Sequence, residues 1–147
     1  MTPSQIRSEL LKDHERLRTM MDEARKLAAR ASSGEPVIDE LRQTVALLAD
    51  VLRAHNVREE ELLGGFIRSV DAWGPVRAEI MTEEHAQEHE EFFAALLGVQ
   101  TTPVEFAGAG VMLLLDRILQ HMACEEDAFL SEDVLRDDLV VTDSFGG

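Results

Sequence analysis

The sequence predicts an all-α protein, an antiparallel up-down-up-down four-helix bundle. Apolar residues recur at helical spacing in four long segments, and no stretch alternates with period two. Gly and Pro are few and clustered between those segments, which makes the connections short. The segments run over roughly 3–31, 36–69, 75–98 and 103–131, long enough to pack side by side as one bundle.

The first segment opens on "TPSQ", where Thr2 can cap, Pro3 sits in the first turn and Gln5 closes a capping box. Its apolar stripe is Ile6, Leu10, Leu17, Met21 and Ala24, with His14 at the edge. "SSGEP" breaks the chain before the second segment. There Leu41, Val45, Leu48, Leu52, Leu62, Leu63 and Phe66 share a stripe, His55 and Glu59 fall in its middle, and Glu60 and Glu61 turn outward. "DAWGP" precedes the third, in which Met81, Phe92, Leu96 and Val99 flank His85 and His89, an i, i+4 pair. "TPVE" repeats the capping pattern at Thr102 and Glu105. The fourth stripe is Val111, Leu114, Leu115, Ile118, Met122 and Phe129, with Glu125 near its centre and His121 and Glu126 at opposite margins.

A chain of 147 residues suits one domain with a single core. The bundle is expected over 1–131, and "EDVLRDDLVVTDSFGG" forms a C-terminal tail over 132–147, a short helical turn followed by an extended end. The formal charge of −15 argues against nucleic acid and against an anionic membrane surface. No basic-then-apolar leader and no long apolar run is present, so a cytoplasmic protein starting at Met1 is expected. The single cysteine, Cys124, projects off the fourth stripe as a small packing residue, and Trp73 is expected to anchor its loop.

All five histidines therefore face inward or nearly so, accompanied by two glutamates. At about 1.5 Å per residue His14, His55, His85 and His89 come to one level of the bundle, with His121 somewhat lower. An unpaired buried carboxylate costs several kcal/mol, and no Lys or Arg shares these stripes. A metal cation resolves the conflict, and imidazole with carboxylate suits iron, manganese or zinc.

The order His14, His55-x-x-x-Glu59, His85-x-x-x-His89, His121-x-x-x-Glu125 resembles the hemerythrin-like, or HHE cation-binding, domain, from "LLKDHERLRTMM" to "HMACEEDAFL". The resemblance implies a four-helix bundle holding two non-haem Fe ions with a bridging oxo or hydroxo group. His14, His55, His85, His89 and His121 would be terminal ligands and Glu59 a bridge. The second bridge is Glu125, at i+4 from His121, or Glu126, at i+5; the stripe favours Glu125. Asp13 and Glu84, each just before a histidine, are candidate acceptors for imidazole N–H groups. "LLGGF" after Glu61 departs from the Leu-Phe-Pro common in the family, without touching a ligand.

Five imidazoles, two bridging carboxylates and one bridging oxygen fill all but about one position of two six-coordinate ions. The vacancy, on the ion with fewer histidines, suits dioxygen or another small diatomic ligand, bound reversibly by a carrier, store or sensor. The alternative is a di-iron enzyme or scavenger acting on nitric oxide or peroxide, or an iron-handling protein. The ending "VVTDSFGG" is faintly similar to the C-terminal peptides that dock cargo in encapsulin shells, which would make it a weak docking peptide for a protein partner.

Overall fold

The computed structural model describes residues 1–70 and 73–128, together with Leu130, Ser131, Leu135 and Asp137. Helix α1 spans Pro3–Ser32, α2 Ile38–Val70, α3 Gly74–Gly98 and α4 Val104–Ala128. Helix α1 packs against α2 and α4, and α3 packs chiefly against α2, as expected of a four-helix bundle with short connections.

Local chemistry sets the ends of the helices. Thr2 accepts the Gln5 N–H at 3.3 Å while Gln5 Oε1 accepts the Thr2 N–H at 2.8 Å, so the first capping box forms. The second does not. The Thr102 hydroxyl donates back to the Gly98 carbonyl at 2.8 Å, closing α3, and the Pro103 carbonyl starts α4 by accepting from Phe106 and Ala107. After α1 the chain turns at Gly34, whose φ of +88° lies in the left-handed region that Gly enters without steric cost.

Apolar stripes meet in two clusters. The larger contains Leu17, Met21, Leu41, Leu48, Leu96, Val111, Leu115 and Ile118. The smaller gathers Ile6, Leu10, Leu63, Phe66 and Met81 with Leu130 and Leu135. Each fully buried Leu or Ile contributes about 1.5 to 3 kcal/mol. Arg7 Nε donates to the Leu130 carbonyl at 2.8 Å, and Ser4 is bonded twice to Asp137, so the chain just past α4 lies against the start of α1. Phe129 and the "VVTDSFGG" ending lie outside the described residues. Trp73, expected to anchor its loop, is 71% exposed. Cys124 projects off the stripe as expected but is exposed, so it is not the packing residue the sequence suggested.

Helix α4 lies close against α1 at Gly108. A Cβ there would lie 2.5 Å from the Ala28 carbonyl and 2.2 Å from Ser32 Oγ. Between the two apolar clusters the core is polar, and this layer carries the candidate site.

Candidate metal centre

The layer consists of His14, His55, Glu59, His85, His89 and Glu125, all buried, with His121 at its rim. The helical repeat that places leucines above and below the layer also points these side chains at the bundle axis. His14 is fully buried rather than marginal, because α4 closes over the face that the isolated first stripe leaves open.

Two donor groups form, each with ligand atoms within 4.8 Å of one another: His14, His55 and Glu59, and Glu59, His85, His89 and Glu125. Glu59 belongs to both. His14 and His55 face each other through Nε2 at 3.1 Å, and Glu59 Oε2 lies 3.0 Å from His55 Nε2 and 3.6 Å from His14 Nε2. Across the layer Glu59 Oε1 stands 3.3 Å from His85 Nδ1. His121 joins the second group through Nε2, at 2.8 Å from Glu125 Oε1 and 3.3 Å from His89 Nε2. All seven residues singled out in the sequence thus meet in one layer. Glu126 does not enter it: helix α4 continues regularly past His121, and Arg18 pairs with the Glu126 carboxylate.

The electrostatics are those of a site built for a cation. Burial disfavours the Glu59 anion, but hydrogen bonds involving His14, His55 and Glu125 outweigh it and hold Glu59 below the usual carboxylate range. Glu125 goes the other way. Burial, then the hydrogen bond and charge of Glu59, with Glu88 and Glu126 adding, push it up to about 11. The metal-free pair therefore holds one proton between two carboxyl groups. Burial and the neighbouring His85 and His121 push His89 down to about 3, leaving a neutral imidazole. Burial lowers His121 as well, against the opposing pull of Glu88. Burial opposes protonation of His55, yet Glu59 and Asp13 raise it above the ordinary value.

The donor set fits metal ions on two further observations. Among the described residues, Glu59 Oε1 and Glu125 Oε2 are buried polar atoms that complete no hydrogen bond by geometry. Facing Nε2 atoms at 3.1 and 3.3 Å also bring two potential ligand nitrogens of each His pair to one point, where at most one proton fits between them. A cation in each donor group satisfies both demands.

Sequence reasoning foresaw Asp13 but not its target. Its Oδ2 accepts from His55 Nδ1 at 3.2 Å, across to α2, rather than from its neighbour His14. Glu84 is exposed and makes no such contact. The residue that does is Glu88, with Oε2 2.5 Å from His121 Nδ1. The available signal was the same acid-before-histidine pattern at His89, one turn later. Arg18 and Arg58, which clasp Glu126 and Asp13, carried no sequence signal because their partners lie on other helices.

Comparison with curated proteins and with solved structures gave no match. The family model of the hemerythrin HHE cation binding domain matches residues 5–132, which include α2, α3 and α4, all of α1 but its first two residues, and every residue of the layer. The chain belongs to the hemerythrin HHE cation-binding domain family.

Proposed function

We propose that the layer holds two iron ions and binds dioxygen, or another small diatomic ligand, reversibly. The observation that carries this reading is the sharing of Glu59 between a two-histidine group and a group containing His85 and His89. One carboxylate serving two donor groups is the arrangement expected for a paired-metal centre with a bridging ligand.

Iron bound there would supply reversible electron transfer to the diatomic ligand. The chain supplies the rest. His14 and His55 bring fewer donors than the His85, His89 and His121 side, so the open position belongs with them. Apolar clusters above and below exclude bulk water from the layer. Asp13 holds the proton on His55 Nδ1 and thereby keeps Nε2 turned inward. A histidine-rich set favours reversible binding over O–O cleavage, and the Glu-x-x-His motif of carboxylate-rich di-iron bundles does not occur in the sequence.

The test is anaerobic loading with ferrous iron followed by exposure to air. The expected result is stoichiometric oxygen uptake, with a visible absorption that appears in air and fades on degassing. Irreversible oxidation, or multiple turnovers of nitric oxide or peroxide by the loaded protein, would replace the carrier reading with the enzymatic one. A cytoplasmic setting accords with the absence, among the described residues, of any helix long and apolar enough to cross a membrane. The acidic charge accords with a partner that is neither nucleic acid nor membrane. A role of the last residues in docking to a protein partner is a separate proposal, tested by deleting them and following localisation.

A further inference from the structure

Four histidines turn Nε2 into the layer, and the Nδ1 of each looks outward toward a carboxylate on an adjacent helix. Asp13 on α1 faces His55 on α2 at 3.2 Å, and Glu60 on α2 faces His89 on α3 at 3.9 Å. Glu88 on α3 faces His121 on α4 at 2.5 Å, and Glu126 on α4 faces His14 on α1 at 3.7 Å. The four contacts close a circuit around the bundle in one direction. Each carboxylate is the chain neighbour of an inward residue: Asp13 precedes His14, Glu60 follows Glu59, Glu88 precedes His89 and Glu126 follows Glu125. One helical step of about 100° separates an inward side chain from one that reaches the next helix.

Two of the four are at bonding distance and two are beyond it. Asp13 is further held by Arg58, whose Nη1 lies 3.4 Å from Oδ1 while Nη2 pairs with Glu9 at 2.8 Å. Glu88 is about half exposed and, among the described residues, pairs with no Lys or Arg. A carboxylate at Nδ1 keeps the proton there, fixes the ring plane and makes Nε2 the better donor. We infer that Asp13 and Glu88 are the positioning residues of the centre, one for each donor group. They set the inward-facing tautomer of His55 and His121, whereas Glu60 and Glu126 act at longer range and more weakly.

This inference rests on the layer being a metal site and is independent of iron and of dioxygen. Zinc, being diamagnetic, is the probe. Zinc affinity is measured for the full chain and for Asp13→Ala, Glu88→Ala, Glu88→Gln, Glu60→Gln and the exposed control Glu84→Ala. The expected result is a 10- to 100-fold loss of affinity in the two alanine variants, on the usual scale for such outer partners. Glu88→Gln, whose amide oxygen still accepts from Nδ1, recovers most of the loss. Glu60→Gln falls by only a few fold, and Glu84→Ala is unchanged. In the zinc form, the His121 Nδ1–H proton resonance lies downfield in the wild type and moves upfield in Glu88→Ala. That shift would not arise from a structural role alone. A wild-type chain that takes up no zinc overturns both the centre and this inference. Wild-type uptake, with alanine variants of equal affinity and an unmoved resonance, overturns this inference alone. Metal-free melting curves identify any variant that misfolds, and the glutamine variant then decides through the resonance position.

Discussion

Nε2 of His14 lies 3.1 Å from Nε2 of His55, on a different helix, and both rings are buried. Two imidazole nitrogens at that distance share at most one proton, and Glu59 Oε2 competes for it. Removing either ring dismantles the smaller donor group and leaves His85, His89, His121 and Glu125 in place. His55→Ala should therefore lower bound metal from about two ions per chain to about one, measured by elemental analysis after dialysis. Loss of both ions, or of neither, would show that the donor groups are not separable.

Metal loading should release protons. Glu125 is pushed up to about 11 by burial and by Glu59, so it is protonated at neutral pH and must ionise to act as a ligand. His89, already neutral, contributes none. Calorimetric titration with zinc in buffers of different ionisation enthalpy should show release of about one proton or more, and affinity rising about tenfold per pH unit for each. A pH-independent affinity between pH 6 and 8 would contradict the shared proton.

Glu125 should be a liability without metal. A carboxyl whose folded-state value is raised costs no stability below the ordinary carboxylate range, and costs progressively more as pH rises above it. Glu125→Leu, close in volume, should stabilise the metal-free bundle by about 1 to 3 kcal/mol at pH 7, with little gain near pH 4. It should also abolish binding at the group containing His85. Chemical denaturation at both pH values gives the answer; destabilisation at pH 7 would mean that Glu125 serves the fold.

Gly108 separates packing from chemistry. A methyl group there meets the Ala28 carbonyl, which is backbone and cannot swing aside. Gly108→Ala should cost about 1 to 3 kcal/mol by denaturation while leaving the metal content of the folded protein unchanged. An unaffected midpoint would place α1 and α4 farther apart than described.

Much of this was legible in the sequence because helical periodicity is a one-body property. The i, i+4 pairs His55–Glu59, His85–His89 and His121–Glu125 declare a common face without reference to any other helix. Glu125 was favoured over Glu126 on that basis alone, and Glu125 is the one inside the layer. What stayed hidden depends on how helices are set against one another. Whether Asp13 meets His14 or His55 is decided by the α1–α2 packing, and the Arg18–Glu126 pair by that of α1 and α4. Thr102 failed as a cap for a local reason: its hydroxyl turns back to the Gly98 carbonyl, where the Thr101 and Thr102 N–H groups also gather at the end of α3.

The most direct test is metal content of the chain purified without chelator, compared with a variant carrying His55→Ala and His89→Ala together. About two ions per wild-type chain, and none retained by a still-helical double variant, is the outcome expected for paired sites joined at Glu59. A wild type that stays metal-free when offered iron, manganese or zinc, or a double variant that keeps its ions, would contradict it.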